Sequence, residues 1–183
     1  MRRVVIVGSS GAGKTTLASA LAQRLRVPHV EIDSLNWESN WTETPTDLLW
    51  KKIESALAGD AWAVCGNYTK LRELIWPRAD TLIRLDYPMG LVMWQVLRRT
   101  VRRCITQEML WATNNVESWR KSFFSSDSII VWAWTSWRTQ RRNYSKFFRS
   151  REYPGLRRYR FVSPAMTRNW LDGIGADAHA ENH

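Results

Sequence analysis

Residues 8–15 read Gly8-Ser9-Ser10-Gly11-Ala12-Gly13-Lys14-Thr15, and this stretch decides the fold. It matches the pattern G-x-x-x-x-G-K-[S/T] without a mismatch. The glycines let backbone N–H groups point inward at phosphate oxygens, and Lys14 adds a positive charge at the β- and γ-phosphates. The hydroxyl of Thr15 is suited to coordinate Mg²⁺. The stretch therefore predicts a phosphate-binding loop that holds a nucleoside triphosphate with Mg²⁺.

The residues on either side of this loop have the patterns of a strand before it and a helix after it, as a phosphate-binding loop requires. Arg3–Val7 is a β-branched run typical of a buried strand, and leucines recur at helical spacing from Leu17 to Leu25. The chain has no Asn-Lys-x-Asp motif for reading guanine, which favours ATP over GTP. The predicted ATP-binding loop residues are Gly8, Ser10, Gly11, Ala12, Gly13, Lys14, Thr15 and Thr16.

Short apolar runs alternate with helical patterns along the rest of the chain. This alternation predicts an α/β fold in which a parallel sheet lies between two layers of helices. Ligands of such folds bind beyond the carboxyl ends of the strands. The length fits one domain over residues 1–171, followed by a small, polar and disordered tail over 172–183. The predicted strands are Arg3–Val7, Val30–Asp33, Ala61–Gly66, Thr81–Leu85 and Arg160–Ser163.

The composition excludes several classes of protein. With 44% hydrophobic and 24% charged residues, the chain is not a disordered, collagen-like or coiled-coil protein. Cys65 and Cys104 are too few for a disulfide scaffold, and the three histidines form no zinc-ligand cluster. No apolar run approaches the roughly 20 residues of a membrane span. We expect a cytoplasmic protein without a membrane partner.

Positive charge is concentrated in one third of the chain. The net charge is +10, and residues 98–160 hold 15 basic and 4 acidic residues. Three interpretations stay open: a nucleic-acid surface, an arginine-lined site for a small phosphorylated ligand, or a solvated basic face. Aromatic side chains among basic ones suit stacking on single strands, so nucleic acid stays open as a partner, although it is not favoured. The aromatic residues concerned are Trp132, Trp134, Trp137 and Tyr144.

Arginines recur four residues apart on two predicted helices, and this spacing places each pair on one helix face. Two such helices could close over a triphosphate and neutralise the charge that develops during phosphoryl transfer. The alternative is that both are solvated faces. The arginines predicted to contact ATP are Arg98 and Arg102, and those predicted to be catalytic are Arg99, Arg103, Arg138 and Arg142. The first of these helices is predicted to have an apolar face made of Leu91, Trp94, Leu97 and Val101.

The sequence resembles the adenylate-kinase-like small-molecule kinases and, within them, the family of topology modulation (FlaR-like) proteins. Besides the loop, the resemblance rests on Glu31-Ile32-Asp33, on residues 62–68 and on residues 80–88, and it covers residues 1–170. It implies a P-loop NTPase fold: a three-layer α/β/α arrangement with a five-stranded parallel sheet. It also implies an acceptor region at about residues 34–59 and a mobile helical lid at about residues 105–126, between the arginine-bearing helices.

Asp33 and Cys65 are the two positions with the largest consequences for catalysis. Asp33 ends a predicted strand, where a carboxylate could accept the proton of an acceptor hydroxyl. The resemblance implies that this acid orients the acceptor or the metal, so Asp33 is predicted to be catalytic and to hold Mg²⁺ with Thr15. The alternative is a turn cap. Members of the family usually carry an acid where this chain has Cys65, and a thiol does not supply that charge at neutral pH.

The predictions combine in an ATP-dependent phosphotransferase, a small-molecule or nucleotide/nucleoside kinase in which Lys14 is catalytic. The alternative is a nucleic-acid-associated ATP-binding or ATPase regulatory protein with weak or no kinase activity, an interpretation that Cys65 favours. For Trp37 and its neighbour Trp41, packing is the favoured interpretation over contact with an acceptor. The predicted acceptor-binding residues are Trp37, Asn67, Tyr68 and Arg72.

Overall fold

The computed structural model describes residues 1–125, 128–149 and 152–180. A five-stranded sheet with the order β2-β5-β1-β6-β7 forms its centre, and all of its strand pairs are parallel. The predicted parallel sheet of five strands is confirmed. A separate antiparallel hairpin is made by β3 and β4. In chain order the strands are β1 (Arg3–Gly8), β2 (His29–Glu31), β3 (Trp37–Glu38), β4 (Thr42–Glu43), β5 (Trp62–Cys65), β6 (Thr81–Leu85) and β7 (Arg157–Phe161).

Helices cover both faces of the sheet and produce two apolar cores. Alternate residues of β1 point to opposite faces: Val4 and Ile6 join one core, while Val5 and Val7 join the other. The fold is therefore the three-layer α/β/α arrangement expected for a P-loop NTPase. The helices are α1 (Lys14–Leu25), α2 (Ile32–Asn36), α3 (Thr46–Ala56), α4 (Arg72–Ile75), α5 (Met89–Thr106), α6 (Trp119–Phe124), α7 (Ile129–Arg149) and α8 (Pro164–Ala180).

Helix α7 contributes to both cores. Ala133 and Trp137, in its first half, pack with the core that contains α1. Tyr144 and Phe147, in its second half, pack with the core that contains α3. The helix therefore passes from one face of the sheet to the other, and it contacts β1 on the way.

Helix α5 buries a different face from the predicted one, although Leu91 of the predicted face does pack against the core. Its buried residues are Val92, Val96, Thr100 and Cys104, whereas Trp94 is 61% exposed. The reason is close packing against the phosphate loop: a Cβ atom at Gly11 would lie 2.3 Å from a methyl group of Val96. A small β-branched side chain fits in that space, and a tryptophan does not.

The predicted disordered tail is helical over residues 172–180, because α8 continues to Ala180 instead of ending at Leu171. This stretch has no proline, Ile174 packs against the core, and Asp172 forms a 2.7 Å ion pair with Arg24. Residues 181–183, and Ser126 at the end of the predicted lid, lie outside the described residues. Within the described part of the chain, no helix has both the length and the apolar character needed to cross a bilayer.

Candidate active site

The phosphate loop connects the buried strand β1 to the N-terminus of α1. Gly11 and Gly13 have φ angles of +79° and +84°, a left-handed conformation that glycine adopts without a steric cost. The loop is closed by a 3.1 Å hydrogen bond from the backbone N–H of Ala12 to the carbonyl of Ser9. This geometry turns the N-terminus of α1 and its unpaired N–H groups toward the loop, which is the arrangement that favours phosphate.

Two cations lie beside the loop. The ammonium group of Lys14 donates to the carbonyl of Ser9 at 3.1 Å. Burial lowers the pKa of Lys14, while Asp33 and Glu31 act in the opposite direction and the nearby Arg99 adds to the lowering. Burial also lowers the pKa of Arg99, and Arg99 interacts electrostatically with the same two carboxylates. Lys14 is therefore within electrostatic range of Arg99, and both cations are within range of the two carboxylates.

Glu31 is a site residue that the sequence interpretation did not assign. It ends β2, and its carboxylate accepts a 2.9 Å hydrogen bond from the hydroxyl of Thr15. Its position two residues before Asp33 was the available signal, since both then fall near the carboxyl end of one strand. Asp33 lies two residues beyond the end of β2, in the first turn of α2.

Cys65 ends β5 directly beside Glu31, with which it is in register. Its Sγ lies 3.8 Å from the hydroxyl of Thr15 and 3.5 Å from Nε2 of His29. Burial, reinforced by the negative charge of Glu31, raises the pKa of Cys65 to about 12. The thiol is therefore uncharged at neutral pH, as the sequence predicts.

Asp33 is held by Tyr68, which donates a 2.9 Å hydrogen bond to its Oδ1 atom. Burial raises the pKa of Tyr68, and the nearby charge of Asp33 raises it further. The phenol therefore stays protonated and remains a donor over the physiological range. Asp33 does not cap helix α2, the alternative to its predicted catalytic role, because the N-cap residue of α2 is Glu31 and no side chain makes a capping hydrogen bond there.

Two other predicted acceptor-binding residues make contacts within the protein. The amide of Asn67 bonds with the backbone of Gly8 in both directions, and its Oδ1 atom also accepts from Tyr144 at 3.0 Å. Asn67 therefore ties the phosphate loop to α7. The guanidinium carbon of Arg72 lies 4.1 Å from the ring centre of Phe147 in a cation–π contact. Both side chains are therefore engaged within the protein in this structure, and their contact with an acceptor stays a prediction.

The tryptophans of the acceptor region pack against other tryptophan rings, and packing is the interpretation that the sequence favours for them. Trp37 and Trp41 meet edge to face with ring centres 5.9 Å apart, and Trp41 meets Trp111 in the same way at 5.8 Å. Trp111 belongs to the predicted lid, whose Asn115 accepts from the backbone of Trp41 at 2.7 Å and donates to the carbonyl of Glu38 at 2.8 Å. The lid and the acceptor region are therefore docked together in this structure.

The six arginines predicted to contact ATP or to be catalytic differ in their exposure and contacts in the structure. Arg99 is half-buried near Lys14, and Arg103 forms a 3.0 Å ion pair with Glu117 in the lid. The other four are exposed, and no hydrogen bond or ion pair within residues 1–125, 128–149 and 152–180 joins them to the phosphate loop. Those four residues are Arg98, Arg102, Arg138 and Arg142.

One buried carboxylate, just after β6, accepts hydrogen bonds from three arginines that are not among the six predicted ones. Asp86, which is 5% exposed, accepts from Arg84 at 2.9 Å, from Arg141 at 2.9 Å and from Arg160 at 2.8 Å. Arg141 also lies over the ring of Trp137, at 5.0 Å from the ring centre. This cluster fastens α7 and β7 to the carboxyl end of β6, so part of the positive charge in residues 98–160 is structural.

The aromatic residues of α7 also divide into two groups. Trp137 and Tyr144 are half-buried and pack toward the cores, so they are not free to stack on a base. Trp132 and Trp134 are 46% and 60% exposed. The predicted aromatic surface therefore reduces to these two residues.

Comparisons with known proteins agree with this fold. The family model described as "ATPase family associated with various cellular activities (AAA)" matches residues 4–60, which contain the phosphate loop. A shikimate kinase of Enterococcus faecalis (strain ATCC 700802 / V583) is 44% identical over 34 residues. Those residues are 19% of this chain and 20% of that enzyme, so the chain matches a small part of that curated relative.

A solved structure extends the likeness to the whole chain. The shikimate kinase from Acinetobacter baumannii in complex with shikimate superposes with a TM-score of 0.56 and 14% identity. The superposition covers 100% of this chain and 95% of that chain. At this level of identity the likeness concerns the fold. The chain therefore has the P-loop NTPase fold, in an arrangement that a small-molecule kinase also uses.

Proposed function

We propose that this protein is an ATP-dependent kinase that transfers the γ-phosphoryl group of Mg-ATP to a small polar acceptor. The observation that carries the proposal is the arrangement beside the phosphate loop, where Lys14 and Arg99 interact electrostatically with the carboxylate of Asp33. Cations close to a general-base candidate are the parts that phosphoryl transfer requires. The short match to a shikimate kinase and the fold support the same reaction class.

Each side chain has a defined part in this reaction. Lys14 and Arg99 stabilise the negative charge on the transferred group. Asp33 accepts the proton of the acceptor hydroxyl as the bond to phosphorus forms. Tyr68 holds the Asp33 carboxylate in place through its 2.9 Å hydrogen bond. We propose a small molecule, a nucleoside or a nucleotide as the acceptor, in keeping with the resemblance to adenylate-kinase-like and topology modulation proteins.

The residues near Thr15 fit a bound Mg²⁺ ion. The donors there are hydroxyl and carboxylate oxygens, which are the ligands that Mg²⁺ prefers, and Thr15 is exposed at the mouth of the loop. No group of three His, Cys, Asp or Glu side chains suited to a metal occurs among the described residues. A site made of one or two protein oxygens and the nucleotide phosphates is the usual way in which proteins hold this ion. When bound, the ion neutralises charge on the phosphates.

The test is an incubation of the purified protein with Mg²⁺ and γ-labelled ATP across a panel of acceptors. The panel holds hydroxylated acids, sugars, nucleosides, nucleoside monophosphates and short oligonucleotides, with Lys14→Ala as the control. Label transferred to one acceptor class by the wild type and lost in the control supports the proposal. Transfer retained by Lys14→Ala would contradict the role of the loop.

A second candidate function is favoured by one observation, the exposure of Trp132 and Trp134 on the helix that also carries exposed Arg138 and Arg142. A nucleic-acid-associated ATP-binding protein would stack bases on these rings and hold phosphates with the arginines. It predicts oligonucleotide binding that weakens steeply with salt and is lost in Trp134→Ala. Absence of binding at low salt removes this candidate.

A further inference from the structure

The exposed apolar side chains of this protein are concentrated in one part of the chain. Among the described residues, 11 large apolar side chains are exposed, and eight of these lie within residues 94–134. That range covers most of α5, the lid and the start of α7. Single exposed apolar residues are ordinary, but a cluster of them marks an interaction site.

Helix α5 carries part of this cluster on one outward face. Trp94, Leu97 and Ile105 stand three and eight residues apart, a spacing that places them on the same side of the helix. The exposed Arg98 and Arg102 border that side. The opposite side of α5 is buried in the core beside the phosphate loop. The outward face of α5 is therefore available to a partner while the inward face supports the loop.

Helix α7 extends this surface. It packs against α5, and its first half joins the same core as α5. Val131 and Trp134 of α7 are 49% and 60% exposed. Helix α5 has four basic residues and α7 has five, and neither helix has an acidic residue. The surface therefore combines exposed apolar side chains with positive charge that no acid on these two helices offsets.

We propose that the outward faces of α5 and α7, with the adjoining lid residue Met109, bind the surface of an anionic lipid bilayer. A helix that has tryptophan and aliphatic side chains beside arginines lies in the plane of a bilayer, with its apolar face at the boundary of headgroups and acyl chains. Basic residues close to an anionic leaflet add electrostatic attraction. The sequence-based expectation of no membrane partner rests on the lack of a spanning segment, which surface binding does not need.

Two other partners fit this surface less well. A second copy of the chain, related by a two-fold axis, would place arginines opposite arginines, and like charges facing each other oppose association. Single-stranded nucleic acid would use the tryptophan rings and the arginines. It would leave Ile105 and Met109, which are 69% and 70% exposed, in contact with water. A bilayer is the partner that accepts both the aliphatic and the basic side chains.

The test is flotation of the purified protein with lipid vesicles on a density gradient, without ATP. Vesicles of phosphatidylcholine and phosphatidylglycerol are compared with vesicles of phosphatidylcholine alone, at low and at physiological salt. The variant is Trp94→Ala combined with Ile105→Ala. The matched control is Leu48→Ala combined with Met166→Ala, which removes two exposed apolar side chains from α3 and α8.

A second measurement distinguishes insertion into the bilayer from attraction by charge alone. An environment-sensitive fluorophore is attached to the variant Met109→Cys and, as the control, to Met166→Cys. Cys65 and Cys104 are buried, so labelling of the folded protein is confined to the introduced thiol. Emission from the label at position 109 should shift to shorter wavelength when phosphatidylglycerol vesicles are added, and emission from the label at position 166 should not.

We expect the wild type to bind the anionic vesicles at least about tenfold more tightly than the neutral ones. The Trp94→Ala and Ile105→Ala double variant should bind them roughly tenfold or more weakly, because two large apolar side chains no longer enter the bilayer. The control pair should bind as the wild type does. Thermal unfolding establishes that each variant is folded, and the comparison of the two vesicle compositions needs the wild type alone.

The proposal would be overturned if the wild type did not float with anionic vesicles, if both double variants bound equally, or if the label at position 109 showed no shift. Binding of a single-stranded oligonucleotide without binding of vesicles would assign the surface to nucleic acid instead. A dimer that Trp94→Ala with Ile105→Ala dissociates, again without vesicle binding, would assign it to a second copy. Because no ATP is present, none of these results depends on the proposed kinase reaction.

Discussion

The hydroxyl of Tyr68 lies 2.9 Å from the Oδ1 atom of Asp33 and donates a hydrogen bond to it. The contact joins a residue that follows β5 to one that follows β2, so it depends on the order of strands in the sheet. Within the proposed reaction it fixes the carboxylate that accepts the acceptor's proton. A base that is free to rotate spends less time in reach of that proton.

We expect Tyr68→Phe to lower kcat roughly tenfold while leaving ATP affinity unchanged, because the phenol positions Asp33 and does not touch the loop. Steady-state kinetics with the acceptor class identified by the labelling panel measure kcat, and a fluorescent ATP analogue measures affinity. Equal losses in kcat and in ATP affinity would show a general disturbance of the site instead of a positioning role.

Asp86→Asn should destabilise the protein strongly, because it leaves the buried Arg84 and its neighbours Arg141 and Arg160 without their shared carboxylate. Loss of one partner from a buried ion pair costs about 3–5 kcal/mol. We expect the lower end of that range, since Arg141 and Arg160 are partly exposed. Urea unfolding measures the change, with the exposed Asp60→Asn as the control. An equal effect of both variants would contradict the structural role of Asp86.

Asn115→Ala should release the lid from the acceptor region. The side chain of Asn115 is 1% exposed and bridges the backbone of Trp41 and Glu38, so truncation removes two hydrogen bonds at once. We expect amide exchange in residues 107–118 to accelerate roughly tenfold or more, since each lost bond is worth about 1 kcal/mol. Hydrogen-exchange mass spectrometry checks this, with the exposed Asn143→Ala as the control. Unchanged exchange would mean that the bridge does not hold the lid.

Cys65 should resist alkylation in the folded protein at pH 8. The thiolate is the reactive form, and a pKa of about 12 keeps the thiol protonated far above neutral pH. Reaction should begin only as the pH approaches 12 or when the protein unfolds. Iodoacetamide labelling in a Cys104→Ser background isolates this residue. Rapid labelling at pH 8 under native conditions would show that Cys65 is ionised or accessible.

The fold could be predicted because its signals are local. The phosphate loop and the apolar runs around β1, β5 and β6 can each be recognised from a few consecutive residues. The hairpin of β3 and β4 was missed because its strands, such as Trp37–Glu38, have two residues each and show no period. The end of α8 was missed because contacts made by Ile174 and Asp172 across the fold stabilise it.

The candidate site could be predicted in part. Spacing shows that Arg138 and Arg142 share a helix face, but which face points at the loop depends on how α7 packs. The sequence also does not show that the amide of Asn67 donates a hydrogen bond to the carbonyl of Gly8, because that contact depends on how the strands pair. Glu31 was missed because its significance comes from Thr15, 16 residues earlier, and from the neighbouring Cys65 on β5.

The most direct test of the proposed kinase reaction is a comparison of Asp33→Asn with the wild type in two measurements on one preparation. One is transfer of label from γ-labelled ATP to the acceptor class that the wild type uses, and the other is affinity for ATP. We predict that Asp33→Asn loses transfer by a factor of at least 10²–10⁴, the contribution of a general base, and still binds ATP. Transfer by Asp33→Asn at the wild-type rate would contradict the account.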